Sequence, residues 1–338
     1  MANRNTTPLT VAEESSLRIK AERRKDRIIQ IAPLIVLAVI MAMFGVAVPE
    51  FLSLGNLVTI LNQLAIPLTL ALGLTFVIMM GSIDLSVDGV MGLAGSVVSL
   101  LLLNNKTTFN LGLLGIAITL VIGMAAGFAT GFIHVKAKLP SFMVSFGMSS
   151  IAAGLALLSY RAVPATIEDK AFMGLAVDTF LCVPALTWIS FAVFAVAYLL
   201  QEYTAFGRYI YAIGDNESIP RQMGIKVDRI KVMVFTWSGT CIALAGILGA
   251  ARLGIGQVTI GRGSLFPAIT AVVLGGTSLS GGKGGVVNTL LGALIVTVLQ
   301  NGLILLAVNP YIQTGIQGII IVIAVAFTVT RGNKIIAR

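Results

Sequence analysis

Long apolar runs separated by short polar segments recur along the whole chain. A helix needs about 20 apolar residues to cross the hydrocarbon core of a bilayer, which is about 30 Å thick. The runs predict an all-α polytopic membrane protein with about ten spanning helices, at 28–48, 57–80, 88–103, 111–135, 140–160, 180–200, 230–251, 265–280, 286–307 and 312–330. The third and eighth runs are short and adjoin glycine-rich segments. We therefore expect these two to be broken or re-entrant helices rather than clean spans.

Composition supports a chain that is surrounded by membrane lipid. Hydrophobic residues make up 57% of the sequence and charged residues 11%, whereas soluble domains have about 45–50% and about 25%. The net charge of +9 is compatible with nucleic-acid binding in principle. Here the basic residues lie in short segments between apolar runs, which is the pattern of membrane proteins. The charge therefore predicts membrane topology and no nucleic-acid partner.

The placement of the basic residues predicts the orientation of the chain. If both termini lie on one side, the opposite side holds only five of the 23 Lys and Arg residues: Lys106, Arg161, Lys170, Arg252 and Arg262. Lys and Arg accumulate on the cytoplasmic side of membrane proteins, so both termini should be cytoplasmic. The predicted organisation is a basic tail (1–27), one transmembrane domain (28–330) and a short cytoplasmic tail (331–338). The longest connection, 201–229, lies on the basic side.

The sequence offers no energy-converting site of its own. The run Gly275–Gly284 approaches the phosphate-binding pattern G-x-x-x-x-G-K-[ST] but has Thr277 at the first glycine and Gly284 at the final Ser/Thr. Nearly all acidic residues lie outside the predicted spans, and Asp84 and Asp88 come closest to membrane depth. Two cysteines and a single histidine give no metal-binding spacing. We expect no catalytic residue, no cofactor and no metal, so energy would come from a partner or transport would be passive.

The connection 201–229 contains a predicted short helix from about Glu217 to Met223. Asp215 or Asn216 can cap its N-terminus, and Gly224 suits the position that follows a helix. Such a helix in a polar loop can dock into a groove on a partner. From these residues alone, a plain solvated connector is the preferred interpretation.

Two polar breaks interrupt the apolar pattern: the first break, 81–88, and the second break, 275–285. Non-helical backbone at membrane depth is tolerated where it lines a cavity or is buried in protein, and small residues also allow close helix packing. Polar residues inside the spans can contact a sugar or bond neighbouring helices; they are Asn62, Gln63, Thr75, Ser145, Ser149, Ser150, Thr236, Trp237, Ser238, Gln300 and Asn301. For any one of them taken singly, the bond between helices is the preferred interpretation.

Four segments, in this order, carry a resemblance to a known family. They are Gly81-Ser82-Ile83-Asp84-Leu85-Ser86-Val87, Leu139 to Val144, Phe206-Gly207-Arg208 through Ile213-Gly214-Asp215-Asn216 to Gly224-Ile225, and Gly275-Gly276-Thr277-Ser278-Leu279-Ser280-Gly281-Gly282. Over roughly 30–330 the chain resembles the permease subunits of bacterial ribose-type ABC sugar importers. Ser82 and Asp88 stand where the family commonly has glycine, and Ile219-Pro220 stands where small residues are usual.

The resemblance implies an ATP-driven importer in the bacterial inner membrane whose permease forms the pathway for a monosaccharide or similar polyhydroxylated solute. The implied partners are a cytoplasmic ABC ATPase that hydrolyses the ATP, a second permease copy or paralogue, and a periplasmic or lipid-anchored substrate-binding protein. The third segment becomes the ATPase-coupling loop, with candidates Asn216, Glu217, Arg221, Gly224 and Ile225. Candidates for the translocation pathway or gate are Asp84, Ser86, Thr277, Ser278 and Asn301.

Other functions remain open at this point. An ion-coupled secondary sugar carrier is disfavoured by the scarcity of intramembrane acids. An ABC permease for a branched-chain amino acid, a nucleoside or a furanose-type signal is compatible with the same residues. A membrane scaffold without transport activity is disfavoured by the polar breaks at membrane depth.

Overall fold

A computed structural model describes residues 32–161 and 163–332 of the chain. These residues form a helical bundle with four very short strands. The helices are α1 (Ala32–Ala47), α2 (Leu54–Met79), α3 (Val87–Leu101), α4 (Leu113–Ala137), α5 (Ser141–Tyr160), α6 (Lys170–Val177), α7 (Ala185–Tyr203), α8 (Ala205–Asp215), α9 (Ser218–Gln222), α10 (Val227–Leu253), α11 (Leu265–Leu274), α12 (Val286–Leu305) and α13 (Pro310–Gly332), and a 3-10 turn covers Val258–Gly261.

The predicted spans correspond to helices from residue 32 onward, and the all-α membrane fold is confirmed. The start of the first span (28–31), the predicted tail 1–27 and residues 333–338 of the second tail lie outside the described residues. Within the described ranges, six helices are long and apolar enough to cross a membrane: α2, α4, α5, α7, α10 and α12. The two short apolar runs, 88–103 and 265–280, correspond to the short helices α3 and α11. α3 has 15 residues and α11 has 10, or roughly 22 Å and 15 Å at 1.5 Å per residue. Neither helix alone crosses the hydrocarbon core, as the adjoining breaks had indicated, and α11 ends at Leu274 rather than at residue 280.

Close packing of small residues places α10 at the centre of the bundle. Gly123, Gly127 and Gly131 recur every four residues along α4 and face α10, where Gly239 meets Gly127. A side chain at Gly123 or Gly127 would overlap atoms of α10. Small residues at this spacing let two helix backbones approach each other in a membrane. The α10 helix also packs against α2 and α3, which carry the first break between them.

The segment 254–274 re-enters the bundle beside α3. After α10 ends, the backbone passes α3 in reverse order: Gly256 meets Ser99, Val258 meets Gly92, and Gly261 meets Asp88. The α11 helix begins only after this stretch, which contains the strand Ile255–Gly256 and the 3-10 turn Val258–Gly261. This crossing therefore consists of an irregular segment followed by a short helix, and α3 with the first break forms a second crossing of the same kind.

The two ends of the bundle differ. We call the end that carries Lys136, Lys138, Lys283 and α9 the basic end. At the opposite end, strand Ala165–Thr166 pairs with Ile255–Gly256, and strand Thr179–Phe180 pairs with Val183–Pro184. These strands and α6 were not predicted from the sequence, because two-residue strands and an eight-residue helix leave no periodic pattern.

The connection 201–229 is more helical than predicted. The α7 helix continues to Tyr203, and α10 begins at Val227, with α8 and α9 between them. The α8 helix is amphipathic and buries Gly207, Ile210 and Ile213 against the bundle. The short predicted helix is present as Ser218–Gln222, and Gly224 has the left-handed backbone angle (φ +80°) expected after a helix end.

Candidate coupling site and membrane breaks

Both breaks meet the end of α8 at the basic end of the bundle. The amide of Gly282 donates to the carbonyl oxygen of Met79 at 2.9 Å, which joins the second break to the end of α2. A Cβ added at Gly281 would lie 2.7 Å from the Gly214 carbonyl oxygen and 2.9 Å from the Gly81 nitrogen. We call Gly81, Gly214, Gly281 and Gly282 the glycine junction. Only residues without side chains allow three backbone segments to meet this closely.

Side chains of α7 and α8 also hold the second break. The Tyr211 hydroxyl donates to the carbonyl oxygen of Gly284 at 2.8 Å, and the Val286 amide donates to Oε1 of Gln201 at 2.6 Å. Burial, followed by the nearby charge of Glu202, raises the pKa of Tyr211, so its hydroxyl keeps the proton that it donates. The two hydrogen bonds join α7 and α8 directly to the second break.

A cluster of charged side chains fixes α9 to the start of α10. Glu217 pairs with Arg221 at 2.7 Å and with Lys231 at 2.6 Å, and Arg221 also pairs with Asp228 at 2.8 Å. The Asn216 side chain accepts hydrogen bonds from the amide and hydroxyl of Ser218. The sequence candidates Asn216, Glu217 and Arg221 are thus brought together, and they hold α9 in place.

The charges of Glu217 and Arg221 are stable at neutral pH. Partial burial acts to raise the pKa of Glu217, but hydrogen bonds and charge from Lys231 and Arg221 outweigh burial and lower it. Hydrogen bonds that Arg221 donates to Glu217 and Asp228 raise the pKa of Arg221. The interactions of Glu217 stabilise the fold at pH values above the ordinary pKa of its carboxyl, and this contribution is lost as the pH falls through the lowered pKa of the folded state. Glu217 and Arg221 therefore keep their charges throughout the neutral range.

The exposed surface of α9 is mixed, and two large apolar side chains stand out among its polar residues. Ile219 is 53% exposed and Met223 is 75% exposed, while Pro220 is buried beneath them. Ile225 is half-buried and packs against the core, and its amide donates to the Pro220 carbonyl oxygen at 3.0 Å. The signal was present in the sequence as two apolar side chains four residues apart within a charged loop.

Three serines of α5 satisfy the amides around the first break. Ser141, Ser145 and Ser149 accept from the amides of Ile83, Leu85 and Gly89 at 3.1, 2.9 and 3.1 Å. Two extended residues span about 6.6 Å, and four helical residues rise about 6.0 Å, so the amides of Ile83 and Leu85 match the spacing of Ser141 and Ser145. The amide of Gly89, in the first turn of α3, is bound by Ser149 one turn further along α5. The preference for a structural role of Ser145 and Ser149 is confirmed.

Asp84 lies buried where the first break meets α10. Its carboxylate accepts from the Ser86 amide at 2.9 Å, from the Ser86 hydroxyl at 2.6 Å and from the Ser238 hydroxyl at 2.8 Å. Ser238 is near the midpoint of the 27-residue α10. Asp84 and Ser86 therefore fix the start of α3 to the central helix at membrane depth.

Asp88 joins the start of α3 to the start of α11. It lies in the first turn of α3, and its carboxylate accepts from the amides of Gly263 and Leu265, both at 3.1 Å. Leu265 is the first residue of α11, whose N-terminus has no side-chain cap of its own. A carboxylate placed at the N-termini of two helices is favoured by both helix dipoles. Asp88, which departs from the glycine common in the family, therefore caps the N-terminus of α11.

The remaining pathway candidates lie apart from Asp84 and Ser86. Thr277 and Ser278 lie in the second break; Thr277 is fully buried, and its hydroxyl has no hydrogen-bond partner among the described residues. Asn301 is buried near the opposite end, where it accepts from the Asn56 side chain at 3.0 Å. The five candidates therefore occupy three different levels of the bundle rather than one site.

These features define a class of protein. Helices broken at membrane depth, with paired breaks packed against each other, are typical of membrane transporters. Among the described residues no group of three or more His, Cys, Asp or Glu side chains is placed to hold a metal ion.

Comparison with known proteins gives the family. A family model described as the permease component of branched-chain amino acid transport systems matches residues 56–325. The ribose import permease protein of Escherichia coli K12 is 38% identical over 296 residues, which cover 86% of this chain and 91% of that protein. The ribose import permease protein of Bacillus subtilis is 36% identical, over 88% and 91%. The D-allose transport system permease protein of Escherichia coli K12 is 32% identical, over 86% and 89%. No solved structure gives a significant match.

The chain belongs to this family of transport permease components, in its ribose-type ABC importer branch. The predicted family is confirmed. It follows that the chain is a multi-pass inner-membrane protein that works as a subunit of an importer.

Proposed function

We propose that this chain is the permease subunit of an ATP-driven monosaccharide importer and that ATP hydrolysis on a partner drives it through the α8–α9 segment. The observation that carries the proposal is the glycine junction, where α8 contacts the end of α2 and the second break, and the second break contacts Gly81 of the first. Relatives described as ribose and D-allose permeases support a monosaccharide as the solute.

The exposed apolar side chains of α9 fit a groove on the ATPase. A short helix can insert apolar side chains of this spacing into a partner surface. Asn216, Glu217 and Arg221 keep α9 rigid on α10, and Gly224 with Ile225 turns the chain back into the bundle. A rigid mount is required because a flexible α9 would absorb the motion of the ATPase instead of transmitting it.

Within the bundle, the motion reaches the gate through the two breaks. Thr277 and Ser278 belong to the second break, and Asp84 and Ser86 belong to the first. The unpaired hydroxyl of Thr277 has a donor to offer if the second break rearranges during transport. Asn301 stabilises the opposite end of α12, where solute would enter.

The orientation and partners follow from the same scheme. The basic end and both termini face the cytoplasm, where the ATPase is located. A substrate-binding protein, periplasmic or lipid-anchored, delivers the solute at the opposite end, and a second permease copy or a paralogue completes the pathway.

The proposal predicts that import depends on ATP hydrolysis. The permease, its ATPase and its binding protein are reconstituted in liposomes, and uptake of labelled D-ribose, D-allose and L-arabinose is measured, with L-leucine as a comparison solute. We expect uptake of at least one sugar, reduced at least tenfold with a hydrolysis-deficient ATPase. Equal sugar uptake with that ATPase contradicts the proposal. Uptake of leucine alone contradicts the assigned solute class.

A further inference from the structure

The bundle contains a cavity that is lined by none of the five candidates for the translocation pathway or gate. It has a volume of about 470 Å³ and lies among α2, α3, α10, α11, α12 and α13. Pockets for small ligands commonly measure about 300–1,000 Å³. Its polar lining residues are Gln63, Arg252, Ser264, Gln300 and Gln313.

These polar residues place the cavity toward the end opposite α9. Gln63 is early in α2, Arg252 is next to the end of α10, and Gln300 is in the last third of α12. Leu253 and Ile304, at its edge, are mostly exposed. The cavity therefore lies in the half of the bundle that receives solute under the proposed orientation.

The Gln63 position presents hydrogen-bond acceptors that the protein leaves unpaired. Its Oε1 is buried without a hydrogen-bond partner among the described residues. Pro67, four residues later in α2, also lines the cavity and has no amide hydrogen. The carbonyl of Gln63 therefore lacks its intrahelical donor. Buried acceptors left in this state are costly and uncommon in proteins.

The other polar groups of the cavity supply donors. Arg252 has a guanidinium with five N–H groups, and Gln300 has an amide with two. Neither side chain has a hydrogen-bond partner among the described residues. Leu70, Met91 and Ala268 add apolar surface. Acceptors, donors and an apolar wall together match a sugar ring, whose hydroxyls both donate and accept while its C–H groups are apolar.

The cavity also reaches the contact between α3 and the segment just before α11. Gly263 and Ser264 line it, and the Gly263 amide donates to Asp88. A solute in the cavity would therefore lie beside the Asp88 contacts to the start of α11.

We propose that this cavity is the sugar-binding site on the outer side of the pathway, with Gln63, Gln300 and Arg252 as its hydrogen-bonding residues and with the Asp88 contacts at its wall. This inference rests on the proposed function. It assigns recognition to residues other than Asp84, Ser86, Thr277, Ser278 and Asn301, which hold the two breaks and helix ends in place.

The test uses the reconstituted importer with Gln63→Leu and Gln300→Leu. With D-ribose, or whichever of the three sugars the wild type imports, we expect each variant to reduce uptake at least tenfold while ATPase activity stays within twofold of the wild type. Gln317→Leu is the matched control, because Gln317 is one turn beyond Gln313 but lines a separate, largely apolar groove. Its uptake should equal that of the wild type.

A labelling experiment covers the case in which a leucine variant fails to fold. Gln300→Cys is made in a Cys182→Ser background, because Cys182 is exposed and Cys241 is buried. We expect the imported sugar to slow reaction of the new thiol with a water-soluble methanethiosulfonate at least threefold. Unchanged labelling, or variants with wild-type uptake, overturns the cavity assignment. Failure of the wild-type complex to import any sugar instead overturns the proposed function.

Discussion

Replacing Gly214 by alanine is expected to abolish ATP-driven import, with uptake reduced at least tenfold. An added Cβ would overlap the carbonyl oxygen of Met79 and lie 2.5 Å from the amide nitrogen of Gly282. Backbone atoms cannot rotate away as a flexible side chain can, so α8 must separate from the end of α2 and from the second break. Overpacking of this kind typically costs about 1–3 kcal/mol of stability. Uptake and the unfolding temperature of the purified variant measure the two effects.

The matched control is Gly147→Ala. Gly147 lies within α5, and a Cβ there would have no heavy atom within 4 Å. Alanine is favoured over glycine in a helix by about 1 kcal/mol, so this variant should keep both its uptake and its stability. Normal import by Gly214→Ala would show that close contact at the glycine junction is unnecessary for transport.

Replacing Asp84 by alanine is expected to release the start of α3 from α10. The carboxylate accepts three hydrogen bonds, one of them from Ser238 across to the central helix. A hydrogen bond to a charged group contributes about 1.5–3 kcal/mol. We therefore expect a loss of roughly that size in the free energy of unfolding in micelles, together with a large loss of import.

A double-mutant cycle isolates the contact between Asp84 and Ser238. The four proteins are the wild type, Asp84→Ala, Ser238→Ala and the double variant. Residues in direct contact usually give interaction energies of about 0.5–3 kcal/mol, and a charged hydrogen bond should fall in the upper part of that range. Additive losses, with an interaction energy near zero, would contradict the assigned role of Asp84 in joining the break to α10.

The apolar pattern was sufficient to predict the helices. Runs of about 20 apolar residues report directly on membrane crossing, because the bilayer sets the length that each helix must have. The same reasoning indicated that the runs beginning at residues 88 and 265 were incomplete. It could not show how the incomplete crossings complement each other, because Asp88 and Leu265 are far apart in sequence and meet only through the path of 254–264.

The site was predicted less completely, for identifiable reasons. The breaks and the α9 helix were found because glycines and capping residues leave local signals. The pairing of Ser141, Ser145 and Ser149 with the first break was missed, although serines at every fourth position formed a visible pattern. The glycine junction was missed because it depends on three segments that only the folded chain brings together.

The residues that line the cavity could not be predicted from the sequence for a different reason. Gln63 and Gln300 were among many polar residues in the spans, and sequence cannot distinguish a glutamine that bonds a neighbouring helix from one that lines a cavity. Asn301, the neighbour of Gln300, pairs with Asn56, while Gln300 faces the cavity. Adjacent positions on α12 point in different directions, so the roles of the two residues differ.

The most direct test of the central claim concerns the exposed surface of α9. Ile219→Glu and Met223→Glu are combined, and we measure copurification of the ATPase and ATP-driven sugar uptake. The matched control is Phe180→Glu with Leu181→Glu, which places the same charges on side chains 66% and 71% exposed at the opposite end. If α9 is the docking surface, its variant loses the ATPase and at least nine-tenths of the uptake, while the control retains the ATPase. An α9 variant that keeps both the ATPase and normal uptake would contradict the claim.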